Sequence, residues 1–158
     1  MREGDAEYEI ERKFLLSALP EMPEPVEVLE IEQGYLPGVR FVERLRRQRA
    51  RDGTVRHFRT VKVGTGVERL ELEEETDPET FEHLWLLTEG RRLRKRRYVI
   101  PDGSRYWEID EFLDRDLVLA EQELPSVQSD VTIPEWLRPV LVRDVTLERK
   151  YTNRSLAR

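Results

Sequence analysis

The sequence contains no cysteine, which excludes disulfide bonds, zinc–thiolate sites and cysteine nucleophiles. It contains only two histidines, His57 and His83, and neither lies in a pattern typical of a metal or catalytic site. No run of about 18 apolar residues is available to cross a membrane as a helix. The chain also begins with charged sequence rather than a signal peptide. These absences predict a cytoplasmic protein with no membrane partner.

Charge is what the sequence has in excess. Of its 158 residues, 38% are charged, compared with about 25% in an ordinary globular domain. The 27 basic and 33 acidic residues give a formal net charge of −6, so nucleic acid is not an expected partner and an anionic ligand would need a local basic cluster. Hydrophobic residues still make up 38%, which predicts one folded domain over residues 1–158.

The first strand-like stretch, residues 9–15, combines both charge signs on one face. Read as a β-strand, it places Glu9, Glu11 and Lys13 on one side, with Ile10 and Phe14 on the other. A half-exposed antiparallel strand alternates in the same way, so for a single strand a solvated face is the simpler interpretation. A functional interpretation requires that other strands repeat the pattern.

Most of the remaining chain is typical of strands. Asp52-Gly53 predicts a hairpin that joins residues 41–51 to residues 54–63. A second turn is predicted at residues 101–103, which contain Pro and Gly. Further strands are predicted at residues 26–31, 67–76, 93–100, 105–112, 117–124 and 142–151.

One segment changes from strand to helix periodicity. Asp77 is suited to cap a helix, Pro78 to its first turn and Gly90 to the position after its end. The apolar stripe of this helix consists of Phe81, Leu84 and Trp85, at the spacing of one helical face. A second, short helix is predicted around residues 134–137.

Charged residues spaced two apart recur on most of the predicted strands. The acidic pairs are Glu9/Glu11, Glu71/Glu73, Glu108/Asp110 and Glu121/Glu123. The basic positions are Arg44/Arg46, Lys95/Arg97 and the single lysines Lys13, Lys62 and Lys150. In a sandwich these faces would point to water, whereas in a closed barrel they would line a lumen that can hold cations and a polyanion. Only the barrel gives so many charges a function, because burying them is costly unless a partner or ligand compensates.

These motifs resemble the CYTH superfamily, also called the triphosphate tunnel metalloenzymes. Its ExExK signature corresponds to Glu9-Ile10-Glu11-Arg12-Lys13. The other motifs follow in the family's order along nearly the whole chain: Gln33-Gly34-Tyr35-Leu36, Arg44-Leu45-Arg46, Glu71-Leu72-Glu73, Glu89-Gly90-Arg91-Arg92, Lys95-Arg96-Arg97-Tyr98, Glu108-Ile109-Asp110, Glu121-Gln122-Glu123 and Lys150-Tyr151-Thr152-Asn153. The chain looks most like the short bacterial members that hydrolyse inorganic tripolyphosphate. The resemblance implies an α+β fold, an eight-stranded antiparallel β-barrel with flanking helices.

The resemblance also implies residue roles. The triphosphate-binding residues would be Lys13, Arg44, Arg46, Lys62, Lys95, Arg97 and Lys150. One or two Mg²⁺ or Mn²⁺ ions would be held by Glu9, Glu11, Glu121 and Glu123. The residues that assist catalysis or orient water would be Lys13, Glu71, Glu73 and Asp110. These residue types suit the chemistry, because hard divalent ions prefer carboxylate oxygens, arginine and lysine bind phosphate, and phosphoanhydride hydrolysis needs no protein nucleophile.

The hairpin at residues 44–59 carries more arginines than a triphosphate requires. The additional residues are Arg47, Arg49, Arg51, Arg56 and Arg59. The favoured interpretation is that half of them face solvent and pair with glutamates, and the alternative is an entry funnel for a longer polyanion. The strand register is also open, because a slip of one residue would turn Arg47 and Arg49 into the lumen in place of Arg44 and Arg46.

Two other kinds of function stay open at this point. The same fold would serve a class IV adenylyl cyclase or a thiamine triphosphatase, although no nucleoside or thiazolium pocket can be identified. A non-catalytic polyphosphate- or RNA-binding module is disfavoured, because a pure anion binder would be better without the acidic pairs. The sequence does not decide which triphosphate is the substrate, whether one or two metals act, or whether the protein is a monomer or a homodimer.

Overall fold

A computed structural model describes residues 6–39, 41–64 and 67–157. Its strands form one antiparallel sheet, and because β1 pairs with both β5 and β8, the first eight strands close into a barrel. The strands are β1 (Ala6–Leu16), β2 (Glu27–Tyr35), β3 (Val42–Ala50), β4 (Val55–Val63), β5 (Glu68–Glu75), β6 (Arg92–Asp102), β7 (Arg105–Phe112), β8 (Val118–Glu123) and β9 (Leu141–Asp144). The predicted eight-stranded antiparallel barrel is confirmed.

Strand β1 is the element that closes the barrel. Around the barrel the order is β1-β5-β4-β3-β2-β6-β7-β8. The first half of β1 pairs with β5, and its second half pairs with β8 on one side and with the short β9 on the other. The charged stretch with Glu9, Glu11 and Lys13 therefore lies where the two ends of the sheet meet. No helix in the described part of the chain is long and apolar enough to span a membrane.

The predicted hairpin and the predicted helix are both present. Gly53 adopts a φ of +87° in the tight turn between β3 and β4, a conformation that glycine reaches without strain. Helix α1 (Pro78–Trp85) begins at Asp77, whose carboxylate accepts a hydrogen bond from the Thr80 amide at 2.8 Å. Its apolar face packs outside the barrel, where the buried residues are Leu45, Phe81 and Trp85.

Gly34 allows the end of this helical segment to lie directly against β2. The helix continues as a 3-10 turn, Leu86–Thr88, and a Cβ atom on Gly34 would lie 2.6 Å from the Thr88 Cβ. Any side chain at this position would therefore displace the segment. Arg92 of β6 fixes the same end, because its guanidinium donates 2.8 Å hydrogen bonds to Thr88 Oγ1 and to the Trp85 carbonyl.

The C-terminal region differs from its prediction. The strand predicted for residues 142–151 ends at Asp144, whose carboxylate accepts hydrogen bonds from the Thr146 amide (2.8 Å) and hydroxyl (2.6 Å). A short polar side chain that bonds to the backbone two residues ahead turns the chain out of the sheet. A 3-10 turn, Arg149–Tyr151, and helix α2 (Asn153–Leu156) follow.

Two smaller boundaries also differ. The helix predicted around residues 134–137 is a single turn that leads into a 3-10 helix, Arg138–Val140. Strand β6 continues through Asp102, so the turn predicted at residues 101–103 lies at residues 103–104 instead. Pro101 is tolerated in the strand, where it lies two residues from the hairpin turn.

Two apolar clusters fix the barrel walls. One lies outside the barrel under residues 125–140 and contains Phe14, Leu16, Ile100, Trp107, Ile109, Ala120 and Leu137. The other lies at one end of the lumen, where Val145 and Ala157 of the C-terminal segment pack onto the inward-facing strand residues Tyr35, Leu93, Phe112 and Leu119. The C-terminal segment, residues 145–157, therefore forms part of the wall at that end of the lumen.

Candidate active site

The pairing register collects the predicted charged faces inside the barrel. Residues directly opposite each other on neighbouring strands point to the same side of the sheet. The opposed inward pairs are Lys13 with Glu121, Lys62 with Glu71, Thr60 with Glu73, Gln33 with Arg46, and Arg97 with Asp110. All eight barrel strands therefore place charged or polar side chains in the lumen. Apolar side chains face inward in part of β2 and in the cluster at one end of the lumen.

Four carboxylates form two hydrogen-bonded pairs in this lumen. Glu71 lies within hydrogen-bonding contact of Glu9, and Glu11 within hydrogen-bonding contact of Glu121. Burial, together with the charges of Glu121 and Glu9, raises the pKa of Glu11 to about 8. Burial and the hydrogen bond to Glu9 raise the pKa of Glu71 to about 7. Each pair shares a proton near neutral pH, because two adjacent buried carboxylates do not both stay charged.

Lysines balance the charged member of each pair. The Lys62 Nζ lies 2.8 Å from Glu9 Oε2, and the Lys13 Nζ lies 3.3 Å from Glu121 Oε1. Burial alone would raise the pKa values of Glu9 and Glu121, but these neighbouring ammonium groups hold both below their ordinary range. In the described part of the chain, no three carboxylate or imidazole side chains converge as a complete cation site.

Asp110 holds two cations deeper in the lumen. Its carboxylate accepts a hydrogen-bonded fork from Arg97 at 2.8 and 2.9 Å and lies 2.8 Å from the Lys95 Nζ. Arg97 also contacts Glu108 at 2.6 Å. Burial is the main cause that lowers the pKa of Lys95 to about 8. Asp110 therefore orients two cations whose charge it only partly compensates.

Glu73 contacts two arginines in the same way that Asp110 contacts Lys95 and Arg97. One of its oxygens lies 3.1 Å from Arg46, 3.6 Å from Arg44 and 2.9 Å from the Thr60 hydroxyl. Burial and the nearby Arg44 lower the pKa of Arg46 to about 10. The Nε atoms of both arginines have no hydrogen-bond partner among the described residues. One carboxylate thus serves two guanidinium groups that keep donors for another acceptor.

A cavity of about 1090 Å³ opens between these strands and the C-terminal segment. The cations that line it are Lys13, Arg44, Lys62 and Arg69 from the strands, and Arg91, Arg149 and Arg154 from outside them. Among the described lining residues, Glu11 is the only acidic one. Two lumen lysines also bind the C-terminal segment: Lys13 donates to the Tyr151 carbonyl at 3.1 Å, and Lys95 donates to Asn153 Oδ1 at 3.2 Å. The cavity has the charge expected of a site for a polyanion.

Two predicted site residues lie at the edge of this arrangement. Lys150 is exposed, its Nζ lies 5.1 Å from the Tyr151 ring centroid, and its neighbour Arg149 lines the cavity instead. The predicted inward position of Lys150 depended on a strand that continues through Tyr151. That strand prediction is wrong, because the chain turns after Asp144. Glu123 is opposite Glu11 in the register but is exposed at the end of β8.

Sequence reasoning gave no site role to four cations that line the cavity: Arg69, Arg91, Arg149 and Arg154. Arg69 lies 2.5 Å from Glu11 and 3.5 Å from Glu9. Its strand pattern contained the signal, because it shares the face of Glu71. Arg149 and Arg154 gave no comparable signal, because they lie in a turn and a short helix rather than in an alternating strand.

The additional arginines of the hairpin lie outside the lumen. Arg47 pairs with Glu82 and Glu32 and lies over the rings of Phe81 and Trp85, so the lumen register contains Arg44 and Arg46. The other outward pairs are Arg51 with Glu24, Arg56 with Glu75, and Arg59 with Glu43 and Glu74. The predicted solvated, paired face is present, and it holds all five of these arginines rather than half of them, since Arg49 is exposed as well. The entry-funnel interpretation receives no support from these contacts.

A closed antiparallel barrel whose lumen is lined with paired carboxylates and cations defines the CYTH, or triphosphate-tunnel, class of protein. The comparisons with known proteins agree with this class. No protein-family model matches the chain. The chain is 37% identical over 157 residues to an inorganic triphosphatase of Nitrosomonas europaea, which covers 94% of this chain and 96% of the relative.

Two further relatives point the same way. An inorganic triphosphatase of Acetivibrio thermocellus is 34% identical over 154 residues, covering 95% of this chain and 93% of the relative. A crystal structure of an inorganic triphosphatase superposes with a TM-score of 0.63 and 34% identity, covering 94% of this chain and 93% of that one. The chain therefore belongs to the inorganic triphosphatase family.

Proposed function

We propose that this protein hydrolyses inorganic tripolyphosphate to pyrophosphate and phosphate inside its barrel, with Mg²⁺ or Mn²⁺ as the cofactor. The observation that carries the proposal is the cavity, in which seven cationic side chains and one acidic side chain of the described residues surround a space continuous with the lumen. The activity named for the relatives in Nitrosomonas europaea and Acetivibrio thermocellus supports the same reaction.

The substrate's phosphates would lie against the cations of the lumen. Lys13, Arg44, Lys62 and Arg69 line the cavity and supply charge to phosphate oxygens. A second group of phosphate-binding cations lies deeper in the lumen and consists of Arg46, Lys95 and Arg97. In this proposal Glu73 and Asp110 are positioning residues, because each holds two of these cations by short contacts and needs no contact with the substrate. Lys150 and Glu123 stay candidates, and both are exposed.

The acidic residues fit a hard divalent ion that is completed by the substrate. Mg²⁺ characteristically takes one or two carboxylates together with substrate phosphates and water, so the paired arrangement of Glu9, Glu11 and Glu121 suits it. When bound, such an ion supplies neutralisation of the phosphate charge and activation of water. In the absence of a metal ion, a proton shared within each carboxylate pair neutralises part of its negative charge. A bound cation would take the place of this proton.

The chain's own residues contribute positioning and charge. Hydrolysis of a phosphoanhydride proceeds without a covalent enzyme intermediate, and the developing charge on the phosphate oxygens is met by preorganised donors. Lys13 is suited to this role, because its ammonium lies in the cavity between Glu121 and the C-terminal segment. Glu71 lies beside Glu9 and would help hold it.

Turnover of tripolyphosphate with and without Mg²⁺ tests the proposal directly. We expect phosphate release that requires the metal and is faster for tripolyphosphate than for ATP or thiamine triphosphate at equal concentration. Release of cyclic AMP or a preference for thiamine triphosphate would assign the alternative activities of this fold. Tight binding of tripolyphosphate without turnover in Mg²⁺ or Mn²⁺ would show a binding module instead.

A further inference from the structure

Gln33 is a polar residue of the lumen that none of the roles above explains. It lies on β2 directly opposite Arg46 of β3 and Leu93 of β6, so its side chain faces inward with Arg46. Its exposure is 1%. Along β2 it lies two residues from Tyr35, which lines the cavity. Two strand residues correspond to about 7 Å, so Gln33 lies one layer of side chains deeper than the cavity wall.

Both polar atoms of this amide lack a hydrogen-bond partner among the residues that the structure describes. Neither Gln33 Nε2 nor Gln33 Oε1 is satisfied. A buried amide without partners costs free energy, whereas methionine would fill the same space without that cost. Gln122, the comparable buried glutamine of β8, is bonded to Asp102 and to Arg105. Unlike Gln122, therefore, Gln33 receives no hydrogen-bond partner from the described part of the chain.

The chemistry of the amide restricts what can satisfy it. Nε2 donates and Oε1 accepts, so a complete set of partners must contain an acceptor and a donor. Deprotonated phosphate oxygens only accept, whereas a water molecule also donates. A phosphoryl group with a water beside it supplies both, and this is the pair of reactants in triphosphate hydrolysis. Glutamine performs the same task in other phosphoryl-transfer sites, where it orients the attacking water.

We propose that Gln33 is a further catalytic residue, which binds a phosphoryl oxygen of the substrate through Nε2 and orients the attacking water through Oε1. This inference rests on the proposed triphosphatase function. The water oxygen forms a bond to the terminal phosphorus while the bridging P–O bond breaks, and pyrophosphate leaves with the electron pair. The proton released from the water passes to a phosphate oxygen, because a neutral amide is not a base.

The test compares Gln33→Met with Gln122→Met in the full chain. For Gln33→Met we expect kcat for tripolyphosphate to fall about 100-fold, the usual effect of losing one preorganised polar group, with KM within about threefold. Its Tm without ligand should equal or exceed that of the wild type, because an unsatisfied amide is removed. For Gln122→Met we expect an unchanged kcat and a Tm lower by about 2–8 °C, since a bonded buried group is lost.

Gln33→Glu separates the two halves of the role. This variant keeps an acceptor for the water but loses the donor and adds negative charge near the phosphates. We expect it to keep more of kcat than Gln33→Met and to raise KM, a split that a packing role would not produce.

A wild-type kcat in Gln33→Met would overturn the inference while leaving the triphosphatase function intact. A loss of Tm in Gln33→Met equal to that in Gln122→Met would also overturn it, because the residue would then be structural. Failure of the wild-type protein to hydrolyse tripolyphosphate would instead contradict the proposed function itself.

Discussion

The two faces of the β3–β4 hairpin use the same residue type for different purposes. On the inner face, Arg44 and Arg46 share one oxygen of Glu73 and keep Nε donors without partners among the described residues. On the outer face, Arg59 has two glutamates of its own, at 2.6 Å and 2.7 Å. The outer arginine is compensated by its neighbours, whereas the inner arginines are compensated only in part.

The difference shows which charges are built for a ligand. An exposed ion pair contributes about 0–1 kcal/mol, and its loss changes little. A buried cation with donors to spare lowers stability until an anion arrives, and this cost is retained where function requires it. We therefore expect the inner face of the hairpin to bind an anionic ligand, and the outer face to contribute solubility and modest stability.

The largest expected contrast is between Glu11→Gln in the lumen and Glu43→Gln outside it. Loss of an indirect metal-site partner typically costs 10- to 100-fold, so loss of a direct carboxylate should lower tripolyphosphate turnover at least about 100-fold. Glu43→Gln should keep turnover within about twofold, because it affects only the pair with Arg59. Steady-state phosphate release in Mg²⁺ measures both variants.

A melt of the metal-free protein provides the control for folding. Glutamine is isosteric with a protonated carboxyl group, and the raised pKa of Glu11, about 8, means that this group is protonated at pH 7. Glu11→Gln should therefore melt no lower than the wild type at that pH. Full activity in Glu11→Gln would eliminate Glu11 as a metal ligand.

The next contrast is between Arg46→Ala and Arg59→Ala. Removing a charge-assisted contact to phosphate costs about 1.5–3 kcal/mol, which corresponds to a decrease in kcat/KM of roughly 10- to 150-fold for Arg46→Ala. Arg59→Ala should remain within about threefold. Tripolyphosphate with Mg²⁺ should also raise the Tm of Arg59→Ala as much as that of the wild type, and raise that of Arg46→Ala less. Equal responses of the two variants would mean that the inner face does not bind the substrate.

The contrast with the smallest expected effect on activity is the pH dependence of stability without metal. The folded protein holds protons on Glu11 up to about pH 8 and on Glu71 up to about pH 7, whereas both unfolded carboxyls titrate near 4.5. Between these limits the folded state binds more protons, so the free energy of unfolding falls as pH rises from about 4.5 to 8. Below pH 4.5 it falls again, because Glu9 and Glu121, with lowered pKa values, must take up protons.

Melts in EDTA between pH 4 and 9 measure this profile. The wild type should be most stable near pH 5, and Glu11→Gln should lose less Tm between pH 5 and 8, because it lacks the titrating group. Above about pH 8 the slope reverses in part, since burial lowers the pKa of Lys95 to about 8 and the unfolded lysine then binds more protons. Parallel profiles for the two proteins would contradict the buried, protonated position of Glu11.

Local signals in the sequence determined most of the strands and the first helix. The alternation in residues 9–15, the Asp52-Gly53 turn and the cap at Asp77 depend on neighbours two to four positions away, so the chain carries them without knowledge of its fold. The side of each strand that carries charge was also readable, because a β-strand fixes the parity of its side chains. The recurrence of these charged faces, together with the resemblance to the CYTH superfamily, predicted a barrel with Glu9, Glu11 and Lys13 on one inner face.

The tertiary structure decided which charges meet. The register between strands placed Arg46 rather than Arg47 inside, since only one parity lets Leu45 pack under the Phe81 helix. The turn at Asp144 removed Lys150 from its predicted strand and brought Arg149 to the cavity. Contacts between residues more than a hundred positions apart, such as Lys13 with Tyr151, cannot be read from local pattern, because they depend on how the closed barrel positions the end of the chain.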